Sequence, residues 1–440
     1  MKIYIVIGFL FCSLFSYSQE VKGEKLWTLE ECIAFAKEKS ITVKSVALTL
    51  ESAQVNYEKS KSMRLPNLMG NISQNFSSGN TIDPITSSYV SQQINSTSPF
   101  LTSSVTLFQG NQLNNQIKQN QLLVQQNSLY VEEAKNNVAL SITESYLQAL
   151  YSKEGICIAE NNLTSSEKEV ARSKARLDAG SIAMKDYTDA VSQAATNKYT
   201  LVSAKNNYAQ QLIILKQLLE LTPEDSFDIA DLETQNSLLS AIPNKLEVYN
   251  QAINNLPEIK AATLSKAVSE KGLDIVKGAY LPTLSLSGSL GSGYTSIQDT
   301  DFLDQMNLNF NQRVGLSLSI PIFNRNQTKG QVQLAKINIE KADIESQTVR
   351  KELYSKIETS WQNATASVEQ LEASKMASDA ASESYKLAQK RYELNDLSTT
   401  DLIVSQNIFT NAQQNYIQAK YLNILYFQLL QFYQGNEIKL

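Results

Sequence analysis

Two stretches of the chain, residues 110–178 and 328–394, contain no proline, and their only internal glycines are Gly155 and Gly330. At 1.5 Å of rise per residue, each is predicted to form a helix roughly 100 Å long. No compact core is that deep, so such helices must lie along other long helices. The heptads agree. Ile142, Ala149, Ile156, Leu163, Val170 and Leu177 recur at one register, and Ser145, Ser152, Ala159, Ser166 and Ser173 follow the first five of them at a second. The later stretch repeats both registers with Ile357, Ala364, Leu371, Ser378, Tyr385 and Tyr392, accompanied by Ser360, Ser367, Ser374, Ala381 and Ala388. Small residues along one seam let helices approach closely. Upstream, Ile117, Val124, Val131 and Val138 keep the heptad step and then shift by one turn into Ile142. Such a stutter relaxes the supercoil locally.

The two stretches belong to a duplication. Pro66 and Pro282 stand 216 residues apart, and at that offset "VKSVALTLESAQVNYEKSKSMRLPNL" (43–68) lies over "IKAATLSKAVSEKGLDIVKGAYLPTL" (259–284) without a gap. Phe108 and Phe323, Arg176 and Arg391, and Asp186 and Asp401 pair at an offset of 215. Each half reads helix, strand, strand, long helix, helix. The first repeat is expected over 19–221, with strands at 67–77 and 97–108, a long helix at 110–178 and a helix at 185–221. A linker follows at 222–243. The second repeat is expected over 244–440, with strands at 283–294 and 306–321, a long helix at 328–394 and a helix at 398–434.

The strands carry a second constraint. In "LPTLSLSGSL" (281–290), Leu284, Leu286 and Leu290 share one parity, while Thr283, Ser285, Ser287 and Ser289 share the other. Met306, Leu308, Phe310, Val314, Leu316, Leu318 and Ile320 alternate in the same way with Asn307, Asn309, Asn311, Arg313, Ser317 and Ser319. Short segments that are apolar on one side and Ser/Thr/Asn on the other fit a half-buried sheet, and they are also the signature of membrane barrel strands. The segments between them, "SSGNTIDPITSSYVSQQINST" and "SGYTSIQDTD", read as polar loops.

Composition narrows the function. Met1 and Lys2 precede an apolar run from Ile3 to Phe15 and then Ser16-Tyr17-Ser18, which reads as a signal peptide over 1–18. No other run is long enough for a membrane-spanning helix. The chain has no histidine, which removes the commonest general base and metal ligand. It has no Gly-rich phosphate loop, no serine nucleophile elbow and no paired-carboxylate pattern. An enzyme is therefore not expected, nor a cofactor or a metal site. Net charge is −5 with no basic patch, so no nucleic-acid partner is expected either. Cys32 and Cys157 sit in apolar helical patterns and are expected to be buried thiols.

Two strands per repeat make four per chain, whereas closed membrane barrels start at about eight. An open sheet edge in lipid leaves backbone groups unpaired. Strands of this kind in a membrane must be pooled by several chains. A secreted coiled-coil adhesin or scaffold would also explain heptads and oligomerisation, but not the duplicated strand pairs.

At this point the chain resembles the TolC family of outer-membrane efflux channels. The resemblance runs through "WTLEECIAFAKEKS", "RLPNL", "LFQGNQ", "RLDAGSIAMKDYTDAVSQA", "LEVYNQAINNLPEIKAA", "YLPTLSLSGSL", "IPIFNRNQ" and "RYELNDLSTTDLIVSQNIFTNAQQNY". It implies a mainly α protein with β, in which each chain adds four strands to a trimeric, 12-stranded β-barrel joined to a periplasmic α-helical barrel. It implies an exit duct for a tripartite efflux or type I secretion system, set in outer-membrane lipid of a Gram-negative bacterium and docked to a periplasmic adaptor and an inner-membrane pump. Drug, metal and protein cargoes are all compatible with these residues.

The resemblance also assigns the far ends of the helices. The turns that would meet the adaptor are Ala179, Gly180 and Ser181, and Leu394, Asn395 and Asp396. Gly180 and Asn395 break the heptads, as left-handed turn residues do. The pore gate implied by the family falls on Asp186, Tyr392 and Asp401. Leu397 and Val404 stand where the family pattern carries an arginine and a further acid, which implies a simpler latch. Helix capping is the plainer role for Asp186 and Asp401, and the two roles are compatible.

Overall fold

The computed structural model describes residues 26–82, 87–232 and 242–438; the expected signal peptide lies outside them. The chain opens with β1 (Leu26–Trp27), α1 (Leu29–Lys39) and α2 (Ile41–Ser62). Then come β2 (Asn67–Ile82), β3 (Tyr89–Gln109), α3 (Gln112–Asp178), α4 (Met184–Leu218) and β4 (Asp228–Ile229). The second half runs α5 (Lys245–Asn255), α6 (Pro257–Gly278), β5 (Thr283–Gly291), β6 (Tyr294–Thr295), α7 (Phe302–Leu308), β7 (Asn311–Ser319), α8 (Gln327–Glu393) and α9 (Thr399–Tyr433). The duplication is carried to the residue: α1 and α5 have 11 residues, α2 and α6 have 22, α3 and α8 have 67, and α4 and α9 have 35.

Local chemistry sets the breaks. Thr28 and Glu31 form a reciprocal capping box at the start of α1, each backbone N–H donating to the other's side chain at 3.3 Å. Pro257 at the first position of α6 ends α5, because its ring cannot continue a helix. Asn111 and Asn326, with φ of 60° and 61°, turn the chain from strand into α3 and α8. Gly110 beside Asn111 has φ +54°, and a Cβ there would lie 2.1 Å from the carbonyl oxygen of Gly278. A Cβ on Gly278 would in turn lie 2.5 Å from the carbonyl oxygen of Gly110. Only two glycines permit this contact, which pins the end of α6 to the start of α3.

Strands β2, β3, β5 and β7 form one antiparallel sheet in that order, with β6 alongside β3. Register fixes the faces. Leu68, Ile72 and Phe76 of β2 pair with Ser103, Pro99 and Asn95 of β3. Leu101 and Val105 of β3 pair with Leu290 and Leu286 of β5. Leu284 and Leu286 pair with Leu318 and Leu316 of β7. Directly paired residues share a face, so one side of the sheet is largely aliphatic and the other carries Ser, Thr and Asn, with Arg313 opposite Ser289. The apolar side is uncovered: Phe76 is 76% and Val314 80% exposed. β2 and β7 are open edges within the chain.

Three strand expectations differ from the structure. Residues 78–82 and 89–96, expected as loop, are paired strand; the backbone ladder holds them without an apolar alternation. Met306 and Leu308, expected in the last strand, lie in α7. Gln305, fully buried, causes this: its Nε2 donates to the carbonyls of Thr295 at 3.1 Å and Thr300 at 2.8 Å, and its Oε1 accepts from the Thr295 N–H at 2.9 Å. The second strand also stops at Gly291, before the short β6.

The helices carry two main cores near the middle of the molecule, beside a smaller cluster of Val43, Val131 and Ala134. One gathers Leu29, Cys32, Ile142, Tyr146, Leu147 and Leu215, and the other Val248, Leu256, Leu353, Ile357 and Leu430. The repeat-related pair Ile142 and Ile357 is fully buried in both. Tyr146 Oη sits 3.0 Å from the Trp27 carbonyl and 2.8 Å from that of Ala230, tying the β1–β4 pair to α3. Toward the far ends the small seam is the buried one: Ser166 and Ser173 are buried in α3, while Leu163, Val170 and Leu177 are half-buried. Glu154 crosses between repeats, accepting from Lys420 at 2.8 Å and Tyr421 at 2.9 Å. Cys32 is buried as expected, but Cys157 is exposed, and no disulfide joins them. Cys157 follows the seam residue Ile156 by one place, which turns it about 100° away around the helix. Among the described residues no helix is long and apolar enough to cross a membrane.

Candidate functional site

The two hairpins α3–α4 and α8–α9 end in turns of the same construction. Gly180 has φ +69°, its N–H donates to the Leu177 carbonyl at 2.9 Å, and Ser181 N–H reaches back to Arg176 at 2.9 Å. Asn395 has φ +60°, its N–H donates to Tyr392 at 3.1 Å, and Asp396 N–H reaches Arg391 at 2.9 Å. This is the six-to-one closure of a left-handed helix cap, and Asn395 supplies what Gly180 supplies in the other hairpin. All six candidate turn residues, Ala179, Gly180, Ser181, Leu394, Asn395 and Asp396, are exposed.

The three candidate gate residues occupy different settings. Asp186 lies in the first turn of α4 and accepts from the Ala183 N–H at 3.3 Å. Asp401 holds the equivalent place in α9. Its Oδ2 accepts from the Ser398 hydroxyl at 2.8 Å, and its N–H donates to that hydroxyl oxygen at 3.1 Å. The Asp186 carboxylate therefore takes up a backbone N–H at the start of α4, the Asp401 carboxylate holds the Ser398 hydroxyl that caps α9, and both lie where the macrodipole favours an anion. Tyr392 is 2% exposed. Its hydroxyl shares a hydrogen bond of 3.2 Å with the Thr399 hydroxyl inside its own hairpin, rather than with Asp186.

One residue joins the two tips. Arg176 Nη2 donates to the carbonyls of Tyr392 and Glu393, at 3.2 Å each, and the guanidinium lies 4.9 Å from the centre of the Tyr392 ring. One turn earlier Arg172 pairs with Glu393 at 3.1 Å. Beside the Asn395 N–H, Arg176 gives the Tyr392 carbonyl a second donor, and a cation at these last two carbonyls of α8 also meets the negative end of the helix. Arg391, the repeat partner of Arg176, stays local and donates to Asp396 Oδ2 at 2.9 Å. The duplication is thus broken at this point. With leucine at 397, the guanidinium that spans the hairpins comes from the first turn. Arg176 and Thr399 were missed as site residues. The sole signal in the sequence was the alignment of Arg176 with Arg391.

Behind the tip a cavity of about 230 Å³ opens between the hairpins, lined by Glu169, Arg172, Gln193, Gln389, Glu393 and Gln406 among others. Gln406 is 5% exposed, and its Nε2 has no protein acceptor. A polar cavity of this size holds water, which can satisfy that amide. Among the described residues no group of His, Cys, Asp or Glu is placed to hold a metal. Hydrogen bonds tie the two helical hairpins at their tips.

Known proteins share this plan. The structure of the Campylobacter jejuni CmeC outer membrane channel superposes with a TM-score of 0.78 at 17% identity, covering 94% of this chain and 87% of that one. Outer membrane protein TolC of Escherichia coli is 22% identical over 294 residues, which span 65% of this chain and 59% of the TolC length. Outer membrane efflux protein BepC of Brucella suis is 24% identical over 325 residues, spanning 72% of this chain and 67% of BepC. The outer membrane efflux protein family model matches residues 33–220 and 248–429, one segment in each repeat. The chain belongs to the outer membrane efflux protein family.

Proposed function

We propose that this chain is the outer-membrane exit duct of a tripartite efflux or type I secretion system, a passive conduit that carries out no reaction and binds no cofactor. The observation that carries this reading is the sheet: an aliphatic, uncovered face, a Ser/Thr/Asn face and two open edges, joined to hairpins roughly 100 Å long. Backbone groups at an open edge are prohibitively costly in lipid. Three copies of the β2-β3-β5-β7 ladder close that edge as a 12-stranded barrel, apolar side to lipid and polar side to the lumen. The helices of the three copies then continue the lumen into the periplasm.

In this reading the exposed turns at Gly180 and Asn395 meet a periplasmic adaptor, which couples the duct to an inner-membrane pump. Asp186, Tyr392 and Asp401 ring the closed end, held by the Arg176 tie between hairpins. Adaptor docking opens the ring if it binds the separated hairpins more tightly than the tied ones. The test is reconstitution of purified protein in planar bilayers, with cross-linking to count subunits. Steps of uniform conductance from a trimer are expected. A monomer that extracts from membranes without detergent and never conducts would overturn the proposal.

A further inference from the structure

Charge around the sheet is sorted by end. No Lys or Arg occurs at 67–109 or 278–312, and no Asp or Glu at 59–82, 87–131, 275–298 or 305–339. Where the helices join the strands, at 59–82, 275–298 and 305–339, the chain therefore carries cations and no carboxylate. Lys59 and Lys61 lie in the last turn of α2 with Arg64 just beyond. Lys277 lies in the last turn of α6, Arg325 just before α8, and Lys329 in its first turn. All six are exposed. Among the described residues only Lys61 has a carboxylate partner, Glu58 at 2.7 Å.

Helix-end electrostatics explains part of this collar. A cation in the last turn of α2 or α6 complements the macrodipole. Arg325 and Lys329 stand at the opposite kind of end, the start of α8, where the same dipole opposes them. Arg325 also holds φ +55°, which side-chain-bearing residues rarely adopt. Beside the cations lie exposed apolar side chains: Tyr280 at 52%, Leu281 at 49%, Ile322 at 94% and Phe323 at 78%. Ile320 and Ile322 continue the parity of Leu316 and Leu318 past the end of β7. Long cationic stems bordering exposed aliphatic and aromatic groups form a membrane-interface belt.

We infer that this collar binds the headgroups of anionic phospholipids in the leaflet that faces the helices. The inference rests on the duct reading above. Charge complementarity selects the occupant. At the other end of the sheet stand Asp299, Asp301 and Asp304, with no cation before Arg313. Phosphate groups of that far leaflet therefore find no matching collar on this chain. Attraction between the collar and a lipid phosphate acts within a Debye length, about 8 Å at physiological salt.

The purified assembly, exchanged into nanodiscs of phosphatidylcholine with one-third phosphatidylglycerol, is assayed for retained lipid by native mass spectrometry. Phosphatidylglycerol should be retained over phosphatidylcholine by at least about tenfold, with the preference falling several-fold in about 0.5 M salt. The variant K59Q/R64Q/R325Q/K329Q should retain the two lipids equally. K59R/R64K/R325K/K329R should keep the preference, which separates loss of charge from loss of fold. Equal retention by the unaltered protein, or an unchanged preference in the glutamine variant, overturns the inference. Conductance in pure phosphatidylcholine bilayers separates the two readings. A protein that conducts there but shows no lipid preference keeps the duct and loses the collar, and one that enters neither bilayer loses both.

Discussion

Arg176 and Tyr392 meet twice, once through a 3.2 Å hydrogen bond to the Tyr392 carbonyl and once face-on, with the guanidinium 4.9 Å from the ring centre. They lie in different repeats, so this contact ties the hairpins at their tips. Arg176→Ala removes the bonds to Tyr392 and Glu393, a loss of about 1–2 kcal/mol for a partly exposed charged donor. The closed population should fall and the mean single-channel conductance in planar bilayers should rise. Arg176→Lys keeps the charge but not the planar stack, and should fall between. Unaltered conductance in both variants removes Arg176 from the latch.

Asp186 and Asp401 are tested against their capping role. Each replaced by Ala should lower thermal stability by about 0.5–1 kcal/mol, the usual size of a lost cap. Asp401→Asn keeps an acceptor for the Ser398 hydroxyl, so it should leave stability nearly unchanged while weakening cation preference at the proposed ring. Selectivity equal to that of the unaltered channel would make Asp401 a cap alone.

Sheet polarity is tested at neighbouring positions. Leu316→Arg should cost on the order of 2–4 kcal/mol if the side chain meets the bilayer midplane, and Ser317→Arg far less. A membrane-impermeant thiol reagent should label Cys at 317 through the lumen and spare Cys at 316. Equal labelling at both sites contradicts the assignment of faces.

Ser152 and Ser367 hold equivalent places in the small seam, yet they differ in bonding. Ser152 Oγ donates only to the Gln148 carbonyl at 3.0 Å, whereas Ser367 Oγ donates to Ala364 at 2.7 Å and accepts from Asn423 Nδ2 at 3.0 Å. Overpacking by leucine should cost about 1–3 kcal/mol at either site. Ser367→Leu should be the worse, because it also leaves the buried Asn423 amide without its partner. Denaturation midpoints of the assembled protein decide the ranking.

Burial pushes the Glu133 carboxyl above the usual glutamate range, the Glu258 carboxylate adds to the shift and Lys356 opposes it. The folded chain then holds this proton at pH values where the unfolded chain has released it. Stability contributed by Glu133 therefore falls as pH rises from the ordinary glutamate value of about 4.3 toward neutrality. Glu133→Gln should stabilise the protein at neutral pH and flatten that slope. Urea titrations at pH 5 and pH 7 measure both effects.

Much of the fold was legible because its signals are long and redundant. Heptads within 67-residue stretches free of proline leave few alternatives to a long helix, and the gapless alignment about Pro66 and Pro282 states the duplication directly. Where structure depends on one distant side chain, the sequence was silent. The alternation of Met306 and Leu308 looked like strand until Gln305 found its carbonyls across the loop. Residues 78–82 and 89–96 pair through their backbones and offered no apolar alternation to read. At the tip, Gly180 and Asn395 were visible as turn residues because only a few side chains tolerate that backbone. The reach of Arg176 to Tyr392 required two segments 216 residues apart to be brought together, which periodicity does not encode.

The mutual approach of Gly110 and Gly278 sits at the opposite end of the long helices from the tips, where they join the sheet. With backbone against backbone and no side chain between, that contact has no slack, so it behaves as a fulcrum for the hairpins beyond it. A tilt of only about 5° there, along an arm roughly 100 Å long, sweeps the far end through roughly 9 Å. That travel exceeds the reach of any hydrogen bond at the tip. In the proposed duct, such leverage would hold the sheet end still while a small angle is multiplied along the helices into a wide aperture.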